Sequence, residues 1–378
     1  MKGWWVIYKV KTSTYAEILK TCWENKTPLY VYGGPGIGKS EIPKQVFKKI
    51  AAEKKLEFKD WNDLSLADRM ECIKNAAKYF VFCDQRISQM DTTDLRGIPN
   101  MINTEMLETV PMSWVIYFTQ PQAHGAIFFD ELNLAAPAVA GQAYQIINDR
   151  CVADRRLSED TFVFGAGNRL TDQAHVFEMP FPLRDRFCEF EIFPDVESWT
   201  RDYAVPAAIN PHLVAFVNWK ESYLYHVDKC AANKSSTPRG IARASKLIGE
   251  RDITTNEVFE LVSISVGEGF AAQFQAYCKH FQQLDWNQLY SKPEVVKGYE
   301  VDKLWAIVGG LTEQFIKGIE QKRFDQQMAL IMNMRADFAI VTLKMYKEGA
   351  AAKKFALQIK KSPYFKPIVE SYSQYLVD

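Results

Sequence analysis

Gly33, Gly34, Pro35, Gly36, Ile37, Gly38, Lys39 and Ser40 fit the spacing G-x-x-x-x-G-K-[ST] and follow the apolar run Leu29-Tyr30-Val31-Tyr32. Strand, glycine loop, then helix is the context in which that spacing does chemistry. Glycines let successive backbone N–H groups turn inward on a phosphate, the Lys39 ammonium reaches the outer phosphates, and the Ser40 hydroxyl offers an oxygen to magnesium. Glu41 follows directly, so the stretch 33–41 forms the candidate nucleotide-binding loop. The chemistry implied is the grip on a nucleoside triphosphate with Mg2+, against the alternative of a glycine turn that binds nothing.

Further along, Ala126-Ile127-Phe128-Phe129 ends abruptly in Asp130-Glu131. A buried strand that delivers two carboxylates at its carboxyl end places them beside the crevice where open α/β sheets bind ligands. Asp130 suits a magnesium ion, and Glu131 suits the orientation and deprotonation of a water that attacks the γ-phosphate. A second strand-like run, Thr161-Phe162-Val163-Phe164, leads through Gly165-Ala166-Gly167 to Asn168, whose amide can both donate to and accept from such a water. Leu183-Arg184-Asp185-Arg186-Phe187 then supplies two guanidiniums, the group that meets phosphate oxygens in a planar fork. From the rim of a sheet they are better aimed at a neighbouring subunit than at their own loop; the bland alternative pairs them with Asp185 and Glu189. Thr237-Pro238-Arg239 opens a helix with Arg239 in its first turn, where a cation opposes the helix dipole.

These residues need elements to hold them. Thr14 and Glu17 have the spacing of a capping box, followed by Tyr15, Ile18, Leu19 and Cys22 on one helical face. Ile42, Val46, Phe47 and Ile50 repeat at helical spacing after the glycine loop. Apolar runs at 29–32, 79–83, 126–129 and 161–164, with the alternating Cys188, Phe190 and Ile192, predict five strands of a parallel α/β sheet. The charge-rich stretch 54–78 is expected to be a helical insertion. The stretch 85–120, with Gly97, Pro99 and Pro111, is expected to hold a hairpin or loop. Pro194 closes the sheet domain. Val258, Leu261, Val262, Ile264 and Val266, and later Leu304, Ile307, Val308 and Leu311, mark helices to the end, with a linker expected over 286–298.

Composition sets outer bounds. With 378 residues the chain can form two or three domains. Forty-six basic residues balance forty-six acidic ones, so no bulk field draws it to nucleic acid or anionic lipid, although a local patch can sit inside a neutral total. Seven cysteines, scattered and never in a C-x-x-C pair, argue against a disulfide frame or a zinc site and read as buried thiols of a reducing, cytoplasmic setting. The apolar start is too short for a signal peptide, and no run approaches membrane-spanning length.

Taken together, the glycine loop, Asp130-Glu131-Leu132-Asn133 with Ala135-Ala136-Pro137, Gly167-Asn168-Arg169, Leu183 to Phe187 and Thr237-Pro238-Arg239, with Asp94-Leu95-Arg96-Gly97-Ile98-Pro99 in between, resemble the AAA+ ATPases, and most of all their MoxR branch. The resemblance runs from about Thr14 to Gln283. It implies an AAA+ P-loop core over 1–194 with an inserted segment at 85–120, an α-helical lid over 195–285, and, beyond the matching part, a C-terminal helical extension over 286–378. It implies ATP and Mg2+ as cofactors, with Lys39 and Ser40 at the Walker A positions, Asp130 and Glu131 at Walker B and Asn168 at sensor 1. Arg186 matches the arginine finger, Arg184 is the second choice, and Arg239 matches sensor 2. It further implies a homo-oligomeric ring, usually hexameric, that remodels protein complexes. Such relatives are commonly encoded beside a von Willebrand factor A domain protein, a candidate partner. Residues 101–114 fall where the family places elements facing the ring channel and are candidates to touch a client. Leu134 departs from the charged or polar residue common after Asn133, which leaves that surface more apolar. The competing readings are a nucleic-acid motor or loader of another AAA+ branch, a GTP-dependent restriction-type NTPase, and a nucleotide-binding switch without turnover.

Overall fold

The computed structural model describes residues 7–100, 102, 108–169, 177, 179, 181–226, 235–349 and 351–376. The chain divides into two units, Met1–Phe193 and Pro194–Asp378.

The first unit is built on one parallel sheet of seven strands: β1 (Lys9–Lys11), β2 (Leu29–Tyr32), β3 (Glu57–Asp60), β4 (Tyr79–Arg86), β7 (His124–Asp130), β10 (Thr161–Gly167) and β11 (Cys188–Phe193). Two short antiparallel pairs, β5 (Ile98–Asn100) with β6 (Glu108–Val110) and β8 (Cys151–Val152) with β9 (Arg155–Arg156), lie outside it. The sheet order is β1-β11-β2-β10-β7-β4-β3. A parallel sheet covered on both faces needs strands that are apolar on both sides. Accordingly Leu29, Tyr30, Val31, Phe80, Val81, Phe128, Phe129 and Phe164 are all sealed from solvent. The count is a correction, since seven strands form rather than five. Both additions are edge strands, Lys-Val-Lys and Glu-Phe-Lys-Asp, whose charges protect an open edge and erase the apolar run by which a strand is recognised.

Helix α1 (Thr12–Glu24) begins before Thr14, so Thr14 and Glu17 are interior positions and not a capping box; Tyr15, Leu19 and Cys22 form its buried face. Helix α2 (Glu41–Glu53) starts at the end of the glycine loop and buries Phe47 beside Phe80, Phe82 and Phe164. The stretch 54–78 is not simply helical. It contributes β3 and then α3 (Leu66–Lys74), whose first turn is capped by Ser65 accepting from the Asp68 N–H. Within 85–120 lie α4 (Thr92–Arg96), the β5/β6 pair and α5 (Ser113–Phe118). Of the candidate client-contacting stretch, residues 101 and 103–107 lie outside the described ones. Helix α6 (Pro137–Asp149) follows β7, and α7 (Phe181–Arg184) precedes β11.

The second unit is helical: α8 (Val196–Ser198), α9 (Pro211–Trp219), α10 (Pro238–Ile248), α11 (Asn256–Val266), α12 (Glu268–Gln282), α13 (Trp286–Ser291), α14 (Val301–Lys317), α15 (Gln321–Asn333), α16 (Ala336–Glu348), α17 (Ala352–Ile359) and α18 (Phe365–Leu376). One hydrophobic core joins them, with Phe216 of α9 and Phe274 of α12 in the same cluster as Ile307 of α14 and Tyr346 of α16. Residues 286–298 are not a linker: α13 and a following 3-10 turn bury Leu289, Tyr290 and Val296. Among the described residues no helix is long and apolar enough to cross a membrane. Six of the cysteines are free thiols, but Cys188 is exposed and Cys151 half-buried, so they are not uniformly interior; Cys230 lies outside the described residues.

Candidate active site

β2 lies inside the sheet with β10 and β11, both much later in the chain, as its neighbours. Such a reversal of strand order opens a crevice at the carboxyl ends of the strands. The loop 33–40, Asp130, Glu131 and Asn168 lie at those ends.

The loop 33–40 leaves β2 with Gly36 at φ +74° and Gly38 at φ +103°, a region in which a side chain would be strained. Its start is pinned by the Gly33 N–H donating to the Gly167 carbonyl at 3.2 Å. Among the described residues, the N–H groups of Gly36, Gly38 and Ser40 donate to no carbonyl, and α2 begins immediately after them. Unsatisfied N–H groups at a helix start favour an anion. Lys39 is buried, and its ammonium donates to the carbonyls of Gly33 at 2.6 Å and Gly34 at 3.2 Å and to Asn168 Oδ1 at 2.9 Å. An ammonium folded onto its own loop is in place to exchange those carbonyls for phosphate oxygens.

β7 brings the carboxylates. Ser40 Oγ donates to Asp130 Oδ2 at 3.1 Å, and the Glu131 N–H donates to Asp130 Oδ1 at 2.8 Å. Ser40 and Asp130 are therefore adjacent hard oxygen donors of the kind Mg2+ accepts, alongside phosphate and water. Among the described residues no group of three or more His, Cys, Asp and Glu side chains could hold a metal ion. Glu131 sits at φ +54°, an uncommon conformation for a residue with a side chain, and its Oε2 accepts from Ser88 Oγ at 2.5 Å.

β10 brings Asn168, which two hydrogen bonds fix to buried Asn133: the Asn168 N–H donates to Asn133 Oδ1 at 2.9 Å, and Asn133 Nδ2 donates to the Asn168 carbonyl at 2.8 Å. Gly167 is required by this closeness, because a Cβ there would lie 2.2 Å from the Tyr30 hydroxyl and 2.4 Å from Asn133 Oδ1. Asp84 lies on β4 opposite Phe128 of β7. Burial first, and then the Asp130 charge, push its carboxyl up to about 7, and its Oδ1 has no hydrogen-bond partner among the described residues.

The structure thus brings Lys39, Ser40, Asp130, Glu131 and Asn168 to the ends of three adjacent strands. It does not bring the arginines in the same way. Arg184 forms a bidentate pair with Glu189, the bland alternative for that residue. Arg186 is exposed and has no ion pair or hydrogen bond among the described residues. Arg239 belongs to the other unit, exposed in the first turn of α10, whose start Thr237 caps by accepting from the Gly240 N–H at 3.0 Å. Asn133, Ser88 and Asp84 were not assigned roles from sequence. Asn133 carried a signal, an amide one turn after the paired acids, whereas Ser88 and Asp84 carried none.

No family model matches this chain. No curated protein sequence matches it. Among solved structures it is similar to ORC2 of Aeropyrum pernix in ADPNP and ADP complexes, at 14% identity over 89% of this chain and 84% of that one, with a TM-score of 0.36. It is also similar to a RuvB mutant of Thermotoga maritima, at 15% identity over 78% and 84% with a TM-score of 0.29. A third is NtrX of Brucella abortus in complex with ATP, at 12% identity over 86% and 69% with a TM-score of 0.33. Likeness at this level leaves the chain's activity to be read from its own side chains.

Proposed function

We propose that this chain is an ATPase of the AAA+ class, nearest in its motifs to the MoxR branch, which assembles as a hexameric ring and couples ATP hydrolysis to remodelling of a partner protein complex. The observation that carries this reading is the convergence of Lys39, Ser40, Asp130, Glu131 and Asn168 at one crevice, from strands far apart in sequence.

In this reading the free N–H groups of the loop and the Lys39 ammonium receive the β- and γ-phosphates, and Lys39 releases the Gly33 and Gly34 carbonyls as it does so. Mg2+, held by Ser40 and Asp130, supplies charge neutralisation at the phosphates when bound. Asn168, fixed by Asn133, orients a water towards Glu131, which accepts its proton as the water oxygen bonds to the γ-phosphorus and the bond to the bridging oxygen of ADP breaks. Only one Glu131 oxygen is committed to Ser88, which leaves the other for that water. Arg186, unpaired among the described residues, meets the developing charge in an adjacent copy, and Arg239 serves as the second sensor. Residues 195–285 act as the lid and 286–378 as the extension; a von Willebrand factor A domain protein is a partner of the right kind.

Glu131→Gln tests the reading. The variant is expected to bind ATP with unchanged affinity and to hydrolyse it roughly a hundredfold more slowly or worse. Mass measurement with and without ATP reports the ring. Full turnover by the variant, or full turnover by a lone subunit at high dilution, overturns it.

A further inference from the structure

Charge is not spread evenly along this neutral chain. Seven of the 46 basic residues but only one of the 46 acidic ones, Glu348, lie between Lys344 and Lys366, so the remainder carries an excess of six acids. Within that stretch Lys360, Lys361 and Lys366 are exposed, and among the described residues they pair with no carboxylate. Between them the turn from α17 to α18 carries Pro363, half-buried Tyr364 and Phe365, the last 41% exposed.

That turn forms one wall of an open cleft of about 620 Å³, whose other walls include Tyr290 and Pro293 after α13 has begun and Lys322 and Asp325 on α15. Lys322 is exposed and unpaired among the described residues, while the Arg323 guanidinium lies over the Tyr290 ring, 4.2 Å from its centre. Asp325 is the single acid of the lining, and its Oδ1 already accepts from Gln321 Nε2 at 3.1 Å. Exposed lysines on either side of the aromatic residues of the turn, with Lys322 in the cleft lining, match a flexible polyanion that also presents flat apolar faces. Unpaired nucleobases on a phosphate backbone have that chemistry. A folded acidic peptide has the charge without the faces; an anionic bilayer is the competing partner, because Leu357 of α17 and Phe365 and Val369 of α18 are exposed apolar residues among the lysines, and the vesicle arm of the test below decides between them.

We infer that the cleft and the α17–α18 turn bind single-stranded nucleic acid, with phosphates along Lys322, Lys360, Lys361 and Lys366 and a base against Tyr364 and Phe365. This surface is independent of the nucleotide crevice, and its failure or success leaves the ATPase reading where it stands.

The test is fluorescence anisotropy of a labelled oligothymidylate of about 20 nucleotides with the full chain. Four phosphate contacts on a single strand predict an affinity that falls about fiftyfold between roughly 50 and 200 mM salt. The pair K360Q and K361Q together should lower the salt slope by about 1.4. Tyr364→Ala should weaken binding about tenfold and Tyr364→Phe should hold it near the parent value, because stacking needs the ring and not the hydroxyl. All three leave ATP turnover without oligonucleotide unchanged. The inference is overturned by absence of binding at low salt or by an unchanged slope in the double variant. Equal affinity for a duplex, or displacement at matched charge by polyglutamate or by phosphatidylserine vesicles, overturns it as well. Should the double substitution disturb folding, the contrast between Tyr364→Ala and Tyr364→Phe decides alone.

Discussion

At the carboxyl ends of β2, β7 and β10 the functional side chains hold one another, Ser40 on Asp130, Lys39 on Asn168, Asn168 on Asn133 and Glu131 on Ser88. The short stretch after α7 behaves differently: two arginines two positions apart take opposite fates, Arg184 closed on Glu189 and Arg186 left to solvent. That difference between two neighbouring guanidiniums is what the proposed roles of Arg184 and Arg186 rest on. In the proposed reading the crevice supplies what binding of a triphosphate asks for, and the cation that meets the transition state comes from another copy.

The sharpest way to break that comparison is Arg186→Ala. Loss of an arginine finger is expected to slow turnover at least about a hundredfold with ATP affinity intact. Mixing it with Glu131→Gln should restore part of the activity, since some junctions then pair an intact Glu131 with an intact Arg186. An inert mixture would place the arginine's action within its own chain. Next comes Asn133→Ala, which removes both hydrogen bonds that hold the Asn168 backbone. Its kcat should fall about tenfold with little change in KM for ATP, as expected of a residue that positions another. Equal losses in kcat and in ATP binding would make Asn133 a general support instead.

Two smaller effects sharpen the contrast further. Arg184→Ala should cost about 2 kcal/mol of stability by leaving the Glu189 carboxylate without its charged partner, while turnover stays within about threefold; a hundredfold loss would exchange the roles of the two arginines. Asp84 gives a pH signature. Its carboxyl is raised to about 7, so the folded chain keeps that proton to higher pH than the unfolded chain does, and stability declines as pH climbs from the ordinary carboxylate range through 7. Asp84→Asn should therefore raise Tm by several degrees near about pH 8, a gain that shrinks towards about pH 4 in thermal melts. A flat difference across that range would show that Asp84 is ionised throughout.

Much of the crevice was legible before any fold was known. Lys39 and Ser40 stand in the spacing of a phosphate loop, and Asp130-Glu131 and Asn168 each follow an apolar run that forms an interior strand. The edge strands were not legible, because Lys9–Lys11 and Glu57–Asp60 carry charge where a strand signal needs apolar residues. Nor was the helix start at Thr12, since the spacing of Thr14 and Glu17 is common to caps and to helix interiors. The stretch 286–298, with Lys292, Pro293 and Lys297, reads as a linker, yet it is folded, because Leu289 and Val296 belong to the core cluster shared with helices further along the chain.

Sequence alone determined which residue types are available for the proposed chemistry, since a glycine loop with Lys39 and Ser40, a pair of acids and an amide are read at short spacing. Tertiary structure decided which groups hold those residues and which arginine is left over. Asn133 meets Asn168 across 35 positions and Ser88 meets Glu131 across 43. Contacts of that span are set by the order of strands in the sheet, and no local pattern encodes that order.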